Sequence, residues 1–137
     1  MAFVLDASVA LAWCFVDERT RYATSVLEEL RRDKAFVPAI WHLELRNGLL
    51  IGERRKRISE TESDSLLRTF DRLPIMNDEG WLTDRHVIMA LARKRQLSAY
   101  DASYLELALR LHLPLATQDR RLRSAAKAEG VTLAQSA

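Results

Sequence analysis

The sequence predicts an α/β fold in which a parallel sheet of four to five strands is flanked by helices. Three observations carry that prediction. Short apolar runs alternate along the chain with longer stretches of helical periodicity, the pattern of strand–helix–strand units. The first run, Ala2-Phe3-Val4-Leu5, stops abruptly at Asp6, and a helical pattern follows at once. A later run, Leu115-Ala116, leads in the same way into Thr117-Gln118-Asp119. In open parallel sheets, ligands and chemistry gather at the carboxyl edge of the strands. Both acids are therefore expected at that edge.

The elements follow in order. Ser8 is read as the N-cap of a first helix, Val9 to Val16. Thr20 to Asp33 is amphipathic, with Ala23, Val26, Leu27 and Leu30 on one face. Ala35-Phe36-Val37 is a second strand, stopped by Pro38 at a position suited to a helix start. Ile40 to about Lys56 is a longer helix, and Ser59-Glu60-Thr61-Glu62 is a capping box opening another through Leu73. Pro74-Ile75-Met76 reads as a weaker third strand, and Leu82 to Gln96 as one helix. Ser98 starts a helix through about Leu111, and Pro114-Leu115-Ala116 is the fourth strand. Asp119 to Glu129 is a last helix, followed by a candidate fifth strand, Val131-Thr132-Leu133.

Composition narrows the setting. The 137 residues show no repeat, linker or low-complexity segment, so a single domain over 1–137 is expected. Hydrophobic residues at 48% and charged residues at 29% exclude a disordered chain. Cys14 is the only cysteine, which rules out an internal disulfide and suits a cytoplasmic protein. Its neighbours Leu11, Ala12, Trp13 and Phe15 make it a small buried hydrophobe. No apolar run reaches the length of a membrane helix, and the first residues lack the basic start and long apolar core of a signal peptide.

Four acids stand out. Asp6 and Asp119 fall at strand ends. Asp101 lies three residues after Ser98, where orphan N–H groups favour a carboxylate. Helix capping alone would also place Asp101 and Asp119 there. Glu44 is different. Val37, Ile40, Trp41, Gly48 and Ile51 surround it at spacings of three and four, which puts it beside an apolar stripe. A charge so placed needs a partner, either a cation in a buried salt bridge or a metal. Two carboxylates about 4 Å apart repel by ~4 kcal/mol at an effective dielectric near 20, so a gathered set calls for a divalent cation. Oxygen-only ligands point to Mg²⁺ or Mn²⁺, and the lack of Cys/His pairs argues against zinc. The expected chemistry is phosphodiester hydrolysis.

At this point a resemblance enters. The segments Leu5-Asp6-Ala7-Ser8, Pro38 with Trp41-His42-Leu43-Glu44-Leu45-Arg46-Asn47, Ser98-Ala99-Tyr100-Asp101-Ala102-Ser103-Tyr104-Leu105, and Thr117-Gln118-Asp119 with Leu122 resemble the PIN domain. Within it the chain is most similar to VapC-type ribonuclease toxins of toxin–antitoxin pairs. The resemblance implies a compact three-layer fold with Asp6, Glu44, Asp101 and Asp119 around Mg²⁺ or Mn²⁺, as both catalytic and metal-binding residues. It implies supporting polar roles for Ser8, Asn47 and Thr117. It further implies an RNA substrate, a homodimer, and a cognate VapB-type antitoxin lying over the acids and a groove beside them, in higher assemblies as well. The chain departs from the family at Gln96 and His112, where glycine often ends a helix.

Other residues are weighed more lightly. Arg54-Arg55-Lys56-Arg57 reads as a solvated helix end. Arg120, Arg121, Arg123 and Lys127 follow Asp119 directly, and Arg120 and Arg121 are the candidate RNA contacts. Tyr104, one turn beyond Asp101, is within reach of the site. His42, His86 and His112 have no ligand spacing, and Trp13, Trp41 and Trp81 read as core or interface residues. Two further functions stay open: a magnesium-dependent phosphotransfer domain, and a non-catalytic module whose acids only cap helices. The first lacks its usual residues, since Ser8 stands where a phosphatase has a second Asp and Thr117 where a receiver has Lys.

Overall fold

The computed structural model describes residues 1–135. Among them, strands β1 (Phe3–Leu5), β2 (Ala35–Pro38), β3 (Ile75–Asp78) and β4 (Leu115–Ala116) form one parallel sheet in the order β3-β2-β1-β4. The chain moves outward from β1 through β2 to β3, then returns to the other side of β1 for β4. That reversal makes the β1/β4 boundary the switch point of the sheet, where the carboxyl ends open a crevice. Burial follows strand order. β1, paired on both sides, is wholly buried, whereas the edge strand β3 exposes Met76 and Asn77 and is correspondingly weak in apolar pattern.

Helices complete the three layers: α1 (Ala7–Cys14), α2 (Arg21–Leu30), α3 (Ile40–Arg54), α4 (Glu60–Asp71), α5 (His86–Arg95), α6 (Ala99–Leu111) and α7 (Arg120–Ala128). Helix α6 runs along β1 and β2 and carries α5 and α7, while α1 packs against α2 and α3. Their starts are set by side chains. Thr20 Oγ1 accepts from the Ala23 N–H, Ser98 Oγ from the Asp101 N–H, and Ser59 and Glu62 form the reciprocal capping box. Helices α5 and α6 end at Gln96 and His112, both left-handed at φ 55. Both caps are thus left-handed without glycine, at the strain cost of a Cβ. Trp13 and Trp41 are buried in the core and Trp81 packs against it, while Cys14 donates to the Ala10 carbonyl and burial pushes its thiol up to about 11.

Four expectations need correction. Helix α1 begins at Ala7, with Asp6 at its N-cap position, so Ser8 lies inside the first turn and turns its hydroxyl back to Asp6. Pro38 does not stop β2 but ends it, opposite Asp78; only one ladder donor is lost, at the strand's last residue. The stretch Leu82 to Gln96 is two pieces, a 3₁₀ turn at Gly80–Thr83 and then α5. Asp84 Oδ1 accepts from the His86 N–H there, a local bond that competes with helix continuation. Finally, Val131-Thr132-Leu133 makes a single parallel bridge, Leu133 to Leu115, rather than a strand. The bridge falls on β4, which itself has only two residues.

Candidate active site

The acids lie along the carboxyl edge of the sheet, near its switch point. Asp6 leaves the end of β1 and is 5% exposed. Its Oδ2 accepts two hydroxyl bonds, from Ser8 Oγ at 2.6 Å and from Thr117 Oγ1, at the end of β4, at 2.7 Å. The same two hydroxyls knit the edge further: Ser8 Oγ accepts from the Gln118 N–H at 3.2 Å and Thr117 Oγ1 from the Asp119 N–H at 3.1 Å. Burial drives the Asp6 carboxyl up to about 6; the two hydroxyls oppose the shift, and the charges of Glu44 and Asp101 add to it.

Glu44 stands on α3 at the margin of the buried face formed by Trp41, Leu45 and Leu49. Its Oε1 accepts from the hydroxyl of the fully buried Tyr104 at 2.6 Å. Burial raises its pKa, the Tyr104 bond lowers it, and the Asp101 charge raises it again. Asp101, in the first turn of α6, is raised by burial and by the charge of Asp119. Asp119 caps α7, accepting from the Leu122 N–H at 2.8 Å. Asp6 thus feels Glu44 and Asp101, Glu44 feels Asp101, and Asp101 feels Asp119. Among the described residues none of the four joins an ion pair. The salt bridge that would have explained Glu44 is therefore not there; its partner is a tyrosine.

The remaining site residues divide. Ser8 and Thr117 touch Asp6 directly. Asn47 lies one turn beyond Glu44 on α3, exposed, with no hydrogen bond to the acids. Arg120 and Arg121 are exposed on the first turn of α7. Arg123 differs from both: its guanidinium donates to the Thr117 carbonyl at 2.7 Å and lies 4.9 Å over the Tyr22 ring. It braces the loop after β4 instead of facing solvent. Gln118 was missed from the sequence. Its Nε2 donates to the Ser8 carbonyl at 3.4 Å and its Oε1 accepts from Thr20; a lone glutamine between two stronger motif residues gives no signal of its own.

The donor set is carboxylate oxygen throughout, which fits a hard divalent cation. Closing it around one requires side-chain rotation, because no three Asp, Glu, His or Cys side chains among the described residues stand close enough to share an ion as they are.

The sequence model described as "PIN domain" matches residues 3–128. The chain belongs to the PIN domain family. Relatives include the VapC ribonuclease of Mycobacterium bovis and Ribonuclease VapC9 of Mycobacterium tuberculosis, each 30% identical over 131 residues and 92% of both chains. In solved structures this PIN domain is similar to PAE2754 from Pyrobaculum aerophilum (TM-score 0.66, 24% identity, 91% of this chain and 79% of that one). It is likewise similar to FitAcB from Neisseria gonorrhoeae (TM-score 0.65, 19% identity, 97% and 96%). At those identities the likeness is one of fold. PIN-domain ribonucleases are generally dependent on a divalent metal.

Proposed function

We propose that this PIN domain is the toxin of a toxin–antitoxin pair, an endoribonuclease that hydrolyses RNA phosphodiester bonds with Mg²⁺ or Mn²⁺. What supports the reading is that Asp6, Glu44, Asp101 and Asp119 influence one another's carboxyls pairwise at the carboxyl edge of the sheet, while among the described residues no cation pairs with any of them. Its class is supported by relatives named VapC ribonuclease over nearly the whole chain.

Asp6, Asp101 and Asp119 would hold the ion, and Glu44 would complete its shell or orient the attacking water. A divalent cation in such a site supplies Lewis acidity and neutralises charge on the phosphate undergoing attack. The chain's own contribution is positioning. Ser8 and Thr117 fix the rotamer of Asp6, and Tyr104 fixes Glu44 from the core side. Asn47, one turn beyond Glu44 on α3, would be a further supporting polar group.

Partners follow from the same reading. The cognate VapB-type antitoxin would cover the acids together with an apolar cleft of about 260 Å³ beside the Asp101 helix, lined by Pro38, Ile40, Trp81, Ile88 and Tyr100. A homodimer is proposed on the exposed apolar side chains Leu43, Leu50 and Ile51 of α3 and Val87 and Met89 of α5. Among the described residues no helix is long and apolar enough to cross a membrane.

The test is RNA cleavage by antitoxin-free protein with Mg²⁺ or Mn²⁺, with EDTA, and by Asp6→Asn. Metal-dependent cutting that is lost in the variant supports the reading. No cutting of any RNA, with no thermal shift on adding either metal, refutes it. The second reading, a non-catalytic module, draws on Asp119, whose side chain caps α7; it expects every acid replacement to cost stability.

A further inference from the structure

A basic cleft extends the RNA contact that the sequence suggested at Arg121 into a lined surface. It lies between the last turn of α5 and one face of α7, with a volume of about 410 Å³. Lys94, Arg95, Gln96, Arg121 and Ser124 line it, over the small side chain of Ala125. Arg121, Ser124 and Ala125 recur at three- and four-residue spacing, so they share one face of α7. No acid lines the cleft. Glu129 lies behind it and is shared by two cations, Lys94 Nζ at 3.0 Å and Arg95 Nε at 2.7 Å. Arg121 has no ion pair among the described residues. The cleft at the α3–α4 turn is of another kind, because there Arg54, Lys56 and Arg57 mingle with Glu53, Glu60 and Glu62.

Position gives the cleft its meaning. Arg121 stands two residues after Asp119, and Gln96 two residues before Ser98, the cap of the helix that bears Asp101. A polyanion approaching four carboxylates is repelled unless fixed cations beside them hold it. Phosphate contacts of that type set register without reading sequence. We infer that this cleft holds backbone phosphates of single-stranded RNA on one side of the cut, with Arg121 and Lys94 as the principal contacts. The inference rests on the ribonuclease reading.

The experiment measures binding of a 5′-fluorescein-labelled mixed-sequence RNA oligonucleotide by anisotropy from 50 to 300 mM KCl, in an Asp6→Asn background that prevents cleavage. Variants are Arg121→Gln/Lys94→Gln and, as a control on the distant helix end, Arg54→Gln/Arg55→Gln. All four side chains are exposed, so the fold is retained, and circular dichroism checks it. Each phosphate contact on a single strand contributes about 0.7 to the slope of log affinity against log salt. The cleft variant should lose about 1.4 of slope and bind about 25-fold more weakly at 0.1 M salt, with the control unchanged. Equal slope and affinity in the cleft variant, in a protein that binds RNA and whose parent cleaves it, overturns the inference alone. An unchanged RNA affinity with weakened binding of an acidic antitoxin segment overturns it too, in favour of a protein partner. A parent that neither binds nor cleaves RNA with metal present overturns the ribonuclease reading and the cleft assignment together.

Discussion

Replacing Asp6 by Asn should stabilise the metal-free protein while removing its activity. The Asp6 carboxyl is buried and lifted from 3.8 to about 6. At 1.36 kcal/mol per pKa unit, ionising it in the fold costs about 3 kcal/mol at neutral pH. A carboxyl whose folded-state pKa lies above its unfolded value binds its proton more tightly in the fold. The penalty is therefore absent below about pH 4 and complete above about pH 6. Asn retains an acceptor for the Ser8 and Thr117 hydroxyls but brings an amide N–H into the pocket, at about 1–2 kcal/mol. A net gain of about 1–2 kcal/mol follows at pH 7.5, or several degrees in Tm. Urea denaturation of parent and variant in EDTA, at pH 7.5 and pH 4, measures it; taking the difference between the two proteins cancels every other titrating group. At pH 4 the sign should reverse, to a loss of about 1 kcal/mol, because the amide cost of Asn remains when the ionisation penalty has gone. A variant less stable than the parent at pH 7.5, or a difference indifferent to pH, would refute the reasoning and favour a purely structural Asp6.

Three more outcomes are expected. Tyr104→Phe deletes the one hydroxyl donated to Glu44, which should cost about 1–3 kcal/mol in denaturation at pH 7.5 and lower cleavage at least tenfold; an unchanged rate would detach Tyr104 from the site. Adding MgCl₂ or MnCl₂ should raise the parent's Tm, by the equivalent of about 2.7 kcal/mol at a hundred times Kd, and calorimetry should find no such rise for Asp6→Asn. Gln96→Gly should stabilise slightly, by less than about 1 kcal/mol, since relief of left-handed strain exceeds the added chain entropy only a little; a loss of stability would show the Gln96 side chain to be making contacts of its own.

What the sequence revealed and what it hid have different physical origins. The acid positions were legible because strand-end and helix-start locations follow from local patterning: Asp6 after an apolar run, Asp101 after the Ser98 cap, Asp119 after β4. The helix caps at Ser59 and Ser98 were legible for the same reason. Local rules failed where a distant element decided. Ser8 looks like a cap, yet its hydroxyl is claimed by Asp6 and the Gln118 N–H, brought in by β4. Pro38 looks like the first residue beyond the strand, yet pairing with Asp78 of β3 makes it the strand's last. Tyr104 was placed near the site by its spacing from Asp101, but only the approach of α3 gives its hydroxyl Glu44 as an acceptor. Asp84 was the exception, a local break inside a helical pattern that a side-chain turn would have explained.

The pairing of β1 with β4 has a consequence for when the site comes into being. Val4 lies beside Leu115, and Asp6 takes its hydroxyl bond from Thr117 across 111 positions of chain. Closing a loop of that length costs about 4 kcal/mol in chain entropy before any contact repays it, and contacts so distant in sequence form late. On a ribosome, the growing polypeptide can build β1, β2 and β3 while one edge of β1 still waits. Asp119 has not yet been added at that stage. Under the proposed assignment of the four acids, a chain released before Asp119 is added would lack both that carboxylate and the Thr117 hydroxyl that holds Asp6.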